Sequence, residues 1–199
     1  MGRGGARVLW SAIMVLALGA CAAHDPFVSG TNTVTAGNWQ IERQTDRVTG
    51  APVSSAILMT RTVANSVVAF PPPAMLQLLC FKGQPTISIA FQFKIGGVYS
   101  SELAYRFDDK PGHGANARFL ASHTKAIIED TAEVAQFVSE LSTSNTLYVH
   151  IRSMTAGRTS AEFKLDGAPA AIGAAFAGCP VQTAKPADAP IRRKKTGAR

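Results

Sequence analysis

The sequence predicts a mainly β domain, built as an antiparallel β-sandwich or a curved sheet with two short helices. Apolar and polar residues alternate along several short segments, Gly- and Pro-rich turns separate these segments, and only two segments have helical spacing. Alternation with one apolar side indicates an antiparallel sheet that buries one face. A chain of 199 residues that is 46% hydrophobic is sufficient for one packed domain.

The strand predictions rest on period-two alternation, which begins where Trp39 and Ile41 alternate with Gln40 and Glu42. Residues 54–63 and 118–128 are predicted as further strands. The other predicted strands have apolar faces formed by Leu76, Leu78 and Cys80; by Ile87, Ile89, Phe91 and Phe93; by Leu103, Tyr105 and Phe107; by Leu147, Val149 and Ile151; and by Ala161, Phe163 and Leu165. About seven or eight strands follow from these patterns.

Two segments are predicted as helices. Asp130-Thr131-Ala132-Glu133 resembles a capping box, and apolar residues follow it at helical spacing, namely Val134, Phe137, Val138 and Leu141. Pro169 suits the first turn of a second helix, in which Ile172, Phe176 and Cys179 would share one face.

The N-terminus has the three zones of a secretion signal. Arg3 and Arg7 precede an apolar stretch over residues 8–17, and Leu18-Gly19-Ala20-Cys21 follows. The apolar stretch is shorter than the roughly 20 residues that a membrane-spanning helix needs. Leu18-Gly19-Ala20-Cys21 resembles a lipobox, which predicts a signal peptide over residues 1–20 and lipidation of Cys21. The alternative is an ordinary signal cut near Ala20 or Ala23.

The position of the predicted lipid defines the expected cellular location and the domain limits. Ala22 stands where an inner-membrane retention signal usually has Asp, so we expect an outer-membrane lipid anchor that faces the periplasm. Residues 21–36 are small and polar and are predicted to be a flexible tether, residues 37–180 a single globular domain, and residues 181–199 a disordered basic tail.

The net charge of +7 belongs mainly to that tail. The body, residues 21–184, has 12 basic and 12 acidic residues, which argues against nucleic-acid binding. The tail is either a solubilising extension or a contact to anionic envelope polymers or lipid headgroups, which salt would weaken. Its densest cationic run is Arg192, Arg193, Lys194 and Lys195.

Lipidation of Cys21 would leave two cysteines, Cys80 and Cys179, each on the apolar face of its element. Because the periplasm is oxidising, two such cysteines in one domain commonly form a disulfide. The alternative is a pair of buried free thiols.

Catalytic and metal-binding motifs are weak. Ser122-His123-Thr124-Lys125 and Lys195-Thr196-Gly197 match two motifs of penicillin-recognising enzymes, but the serine should open a helix and the second motif lies in the predicted tail. His113 lies near Asp108 and Asp109, yet a metal site needs three or four converging ligands. We therefore predict no cofactor, no metal and no enzymatic activity.

One set of residues suggests a binding face: Tyr105, Arg106, Asp108, Tyr148, His150 and Arg152. Arg106 lies within the most aromatic strand, and arginine and tyrosine are enriched at binding hot spots. The alternative for Arg106 is a solvent-side arginine paired with a neighbouring carboxylate.

An ordered set of segments covers residues 37–180: Trp39-Gln40-Ile41, Leu78-Leu79-Cys80, Tyr105-Arg106-Phe107-Asp108, Asn145-Thr146-Leu147-Tyr148-Val149, Ala161-Glu162-Phe163-Lys164-Leu165-Asp166-Gly167, and a last helix ending in Cys179. Their order resembles the periplasmic accessory proteins of type VI secretion called TagO or VasI, although Phe119 stands where a tryptophan is expected. The resemblance implies a non-enzymatic envelope protein with an envelope protein partner. The alternative functions are peptidoglycan binding and inhibition of an envelope enzyme.

Overall fold

A computed structural model of the protein describes residues 28–97, 101–120, 122–179 and 181. It confirms the mainly β prediction with two short helices. The elements are β1 (Val28–Ala36), β2 (Trp39–Asp46), β3 (Pro52–Thr60), β4 (Val63–Asn65), β5 (Ala74–Phe81), β6 (Gln84–Ala90), β7 (Ser101–Phe107), β8 (His113–Ala115), β9 (Arg118–Phe119), β10 (Lys125–Ile128), α1 (Thr131–Leu141), β11 (Thr146–Ser153), β12 (Gly157–Lys164) and α2 (Ala168–Ala175).

The strands form two antiparallel sheets. Sheet A has the order β1-β2-β3-β5-β6-β10-β9, and sheet B has the order β4-β12-β11-β7-β8. The chain first crosses from sheet A to sheet B between Thr60 and Val63, where the Thr60 hydroxyl donates a hydrogen bond of 2.6 Å to the carbonyl of Glu162. This contact joins the end of β3 to β12, so the two sheets meet at that corner.

The core lies on the inner faces that the alternation predicts. In sheet A, cross-strand pairing aligns one buried row made of Ile41, Ala56, Leu78, Ile87 and Ile128. In sheet B, a corresponding buried row consists of Phe107, Leu147 and Phe163. Full burial of one such side chain contributes about 1.5–3 kcal/mol.

Helix α1 begins as its sequence predicts. The Asp130 carboxylate accepts hydrogen bonds of 3.0 Å from the backbone N–H groups of Ala132 and Glu133, which satisfies two of the first donors of the helix. Glu133 does not complete the capping box, because its carboxylate accepts the backbone N–H of Asn116 instead. Inside the core, the ring of Phe137 lies 4.9 Å from that of Tyr105.

The β1–β2 turn packs closely against the connection between β12 and α2. The backbone N–H of Asn38 donates to the carbonyl of Asp166 at 3.0 Å, and the indole N–H of the buried Trp39 donates to the carbonyl of Leu165 at 3.4 Å. Gly167 has a φ of +88° and no room for a side chain, because a Cβ there would overlap the carbonyl of Ala36. Backbone therefore packs against backbone at this junction, which only glycine permits.

The structure joins Cys80 at the end of β5 to Cys179 after α2 as a disulfide. Their Cα atoms lie 5.7 Å apart, within the range that a disulfide spans. Cys179 is fully buried. Of the two states considered for these cysteines, the structure thus contains the bridge rather than the pair of free thiols.

Several local predictions need correction. The described residues form twelve strands rather than seven or eight, and the predicted strand over residues 54–63 is divided between β3 of sheet A and β4 of sheet B. The predicted tether over residues 21–36 includes β1, which pairs with β2 from Val28↔Asp46 to Ala36↔Trp39. The predicted strand over residues 118–128 is a hairpin of β9 and β10, because His123 has a φ of +58° and its N–H bonds to Leu120. Helix α2 ends at Ala175. Phe176 and Cys179 are buried beyond its end, and Ile172 is only half-buried.

Three predicted features lie outside the described residues: the signal peptide, the lipidation site at Cys21, and the basic run Arg192, Arg193, Lys194 and Lys195. Within the described part of the chain, neither helix is long and apolar enough to cross a membrane.

Candidate functional site

The outer face of sheet B carries most of the residues predicted to form a binding face. Because side chains alternate along a strand, burial of Leu147, Val149 and Ile151 directs the intervening residues of β11 outward. Pairing then builds three outward rows across the sheet. They are Arg106–Tyr148–Glu162, Ala104–His150–Ser160 and Glu102–Arg152–Arg158.

The middle row forms the floor of an open groove with a volume of about 500 Å³. Ala104 and Ser160 are small, and Ala64 of the edge strand β4 pairs with Ser160, so the floor lies lower than the rows of larger side chains beside it. Arg106, Tyr148, Glu162 and Arg61 form much of the rim, while His150 lies on the floor. A groove of this size accommodates a small ligand or a short segment of a partner.

Arg106 and Tyr148 form one wall of the groove as a stacked pair. The Arg106 guanidinium carbon lies 5.0 Å from the centre of the Tyr148 ring, which is a cation–π distance. The ion pairs of the described residues do not include Arg106. The structure therefore favours a stacked arginine over the carboxylate-paired arginine considered from the sequence.

His150 is half-buried on the groove floor. Its burial lowers the pKa of the imidazole from its usual value, and the positive charges of Arg152 and Arg158 lower the pKa further. Protonation would place a third positive charge beside two others, so the neutral form is favoured.

Arg152 and Arg158 lie directly opposite each other on β11 and β12. Both are exposed and border a second depression near Met154. A smaller depression links the two, because it shares His150 with the groove and Arg158 with the second depression. Like charges at directly opposed positions of a sheet repel. Neither arginine belongs to the ion pairs found among the described residues, whereas Glu162 is held by Lys164 at 2.7 Å.

Two predicted members of the binding face do not belong to it. Tyr105 is 5% exposed, and its ring packs in the core against Phe107 and Phe137. The Asp108 carboxylate accepts the backbone N–H groups of Asn145 and Thr146, at 3.1 and 2.8 Å. Asp108 thus fixes the approach to β11 and does not face a ligand.

The weaker catalytic and metal candidates lie apart. His113 contacts Glu140 at 2.9 Å and Gln136, rather than Asp108 or Asp109. Across the described ranges, no group of three or more His, Cys, Asp or Glu side chains is arranged to hold a metal ion. The Ser122 hydroxyl lies in an exposed turn and accepts a hydrogen bond of 3.1 Å from Thr124.

Several residues in and beside the groove were missed from the sequence, among them Arg61, Ala64, Arg158 and Ser160. Arg158 and Ser160 alternate with the buried Thr159 and Ala161, so the alternation of β12 was a usable signal. Arg61 and Ala64 reach the groove only because β4 pairs with β12, and no local pattern predicts that pairing.

No family model matches the chain, and no curated protein matches it. Among solved structures, the chain is similar to invasion associated protein B from Bartonella henselae, with 14% sequence identity and a TM-score of 0.48. The match covers 71% of this chain and 94% of that chain. The groove is therefore interpreted from the residues of this chain alone.

Proposed function

We propose that this chain is a lipid-anchored periplasmic envelope protein that acts as a non-enzymatic interaction module and binds its partner in the groove on sheet B. The observation that carries the proposal is the exposed Arg106–Tyr148 stack beside an open groove. Arginine and tyrosine supply large, rigid contact surfaces and are the residue types that dominate binding energies in interfaces. The stack is already formed, so little side-chain ordering opposes binding.

A crosslinking experiment in the envelope tests the binding face. The full chain would carry a photoreactive phenylalanine analogue at Tyr148, with Met59 on sheet A as the control position, because both side chains are exposed. We expect a crosslinked species from position 148 and not from position 59. Ala104→Trp, which fills the groove floor, should abolish it. Equal crosslinking from both positions, or a yield that Ala104→Trp leaves unchanged, would contradict the groove as the binding site.

The lipid anchor is tested separately at Cys21. Cys21→Ser should lose incorporation of labelled fatty acid and move the protein to the soluble periplasmic fraction, whereas Ala22→Ser should retain both label and membrane association. Membrane retention of the Cys21→Ser protein would remove the anchor from the proposal. Loss of the anchor would leave the groove assignment intact.

An accessory role in type VI secretion is part of the proposal through the resemblance of residues 37–180 to the TagO and VasI proteins. The genes that flank this one provide the direct test. A neighbouring cluster of secretion genes would support the role, and deletion of this gene should then reduce secretion by that system. Unchanged secretion after deletion would refute it.

The strongly basic tail favours one second candidate function, binding to the peptidoglycan wall. The last 15 residues carry six Lys or Arg residues and one Asp, and wall polymers are anionic partners that such a charge attracts. Sacculi would be incubated with the full chain and with a chain ending at residue 179. Tail-dependent, salt-sensitive sedimentation would support wall binding, and equal sedimentation of the two chains would exclude the tail as its cause.

A further inference from the structure

We propose that the groove on sheet B takes a ligand with one carboxylate or phosphate group on an apolar body, and that the anion sits between Arg152, Arg158 and His150. This inference rests on the proposed function, because it assumes that the groove is the binding site. It adds the chemical class of the ligand and the position of its charged group.

The anion position follows from the charge arrangement. Arg152 and Arg158 face each other across one pairing position, and His150 lies in the adjacent row. Glu102 also pairs with Arg152 in register, yet it makes none of the ion pairs within the described part of the chain. An anion between the two guanidinium groups would replace their repulsion with two charge-assisted contacts.

The apolar body follows from the rest of the groove. Toward the rim that carries Arg106, the groove is lined by the small side chains of Ala64 and Ala104 and by the aromatic ring of Tyr148. Arg106 lies over that ring and Glu162 is held by Lys164, so two of the charged groups of this rim already have partners. A flat or extended apolar group can therefore occupy this half of the groove without leaving a buried polar group unpaired.

His150 makes the site sensitive to pH. The charged groups around it are Arg152 on its own strand, Arg158 and Glu162 on β12, Glu102 and Arg106 on β7, and Arg61 on the rim. Positive groups outnumber negative ones, so the histidine resists protonation in the empty groove. A bound anion offsets that positive excess beside the imidazole, and binding should therefore draw a proton onto His150 and strengthen as the pH falls.

Calorimetric titration of the full lipidated chain in a non-ionic detergent tests the ligand class. The probes are 3-phenylpropionate, phenyl phosphate and the neutral 3-phenylpropanamide. We expect at least one anion to bind at least about tenfold more tightly than the amide, because a hydrogen bond to a charged group contributes more than a neutral one. Preference for the carboxylate probe or for the phosphate probe identifies which of the two anionic groups the natural ligand carries. Equal affinity for all three probes would overturn the proposal.

Variants place the anion within the groove. Arg152→Gln and Arg158→Gln should each weaken binding of the anion about tenfold and leave binding of the amide unchanged. Arg43→Gln, an exposed arginine of β2 in the other sheet, is the matched control and should change neither. Unchanged anion affinity in both groove variants, with thermal unfolding like that of the wild type, would overturn the assignment.

Measuring anion affinity at different pH values distinguishes the contribution of His150 from that of the two arginines. Between pH 8 and pH 6, the affinity of the wild type for 3-phenylpropionate, which stays ionised in this range, should rise about three- to tenfold, since one pKa unit corresponds to a factor of ten in binding. His150→Gln should remove that rise, and a rise that persists would overturn the role of His150.

Failure of crosslinking at Tyr148 with intact anion binding would remove the partner function alone. Crosslinking without anion binding would remove only this inference.

Discussion

Gly167 is the position where one added methyl group most sharply tests the packing between the β1–β2 turn and α2. Its φ of +88° costs any residue with a side chain about 1–2 kcal/mol. A Cβ would also overlap the carbonyl of Ala36 and approach the nitrogen of Gly37 to 2.9 Å. The displaced backbone would weaken the hydrogen bond from Asn38 to Asp166, at about 1 kcal/mol, and repacking adds about 1–3 kcal/mol. Gly167→Ala should therefore destabilise the fold by about 3–6 kcal/mol.

Gly83→Ala is the matched control. Gly83 has a φ of +77°, yet nothing lies within 4 Å of a Cβ built there, so this variant should show only the conformational cost of about 1–2 kcal/mol. Urea unfolding followed by the fluorescence of the buried Trp39 measures both. The reasoning would be refuted if the two variants differed by less than about 1 kcal/mol, because close backbone approach would then contribute nothing beyond backbone strain.

Three further predictions concern stability. Burial and the charges of Glu140 and Glu133 raise the pKa of Tyr105 to about 12. The same phenol ionises near pH 10 in the unfolded chain, so the free energy of unfolding should fall by up to about 2–3 kcal/mol from pH 10 to 12. Tyr105→Phe should remove this part of the loss in thermal unfolding at alkaline pH. Cys80→Ala with Cys179→Ala should lower the free energy of unfolding by up to about 4.7 kcal/mol for a loop of 99 residues; a loss below about 1 kcal/mol in denaturant unfolding would contradict the cross-link. Asp130→Ala should lower the free energy of unfolding by about 1 kcal/mol, because it removes the N-cap of α1. The control Glu129→Ala should lose only the exposed ion pair with Arg118.

The inner faces of the sheets were predictable because burial in a strand has a local period of two. The sets containing Trp39, Phe107 and Leu147 were assigned to the core from alternation alone, and each is buried. Strand β1 was not predictable in this way. Its residues are mainly Ser, Thr, Asn and Gly, and it is an edge strand whose place depends on backbone pairing with β2.

The candidate groove was predictable only in part, for the same reason. Arg106, Tyr148, His150 and Arg152 follow the alternation of two central strands, so their outward direction could be inferred. Tyr105 was assigned both to the apolar face of its strand and to the binding face with Arg106. Both assignments cannot hold, because adjacent residues of a strand point to opposite faces. The partners from β4 lie about 40 positions before β7, and those from β12 lie about 55 positions after it. Only the strand order β4-β12-β11-β7 brings them together.

The bridge between Cys80 and Cys179 also determines what a single cut in the polypeptide would do. It encloses β6 and every later element through α2, and thus all of sheet B except β4. A protease that cleaves the exposed loop around Asp109 and Gly112 would cut the chain inside this covalent ring. The two fragments would remain linked, migrate as one species on a non-reducing gel and separate only after reduction. Such a nicked molecule would keep both sheets together, so cleavage in this loop would not by itself release sheet B from sheet A.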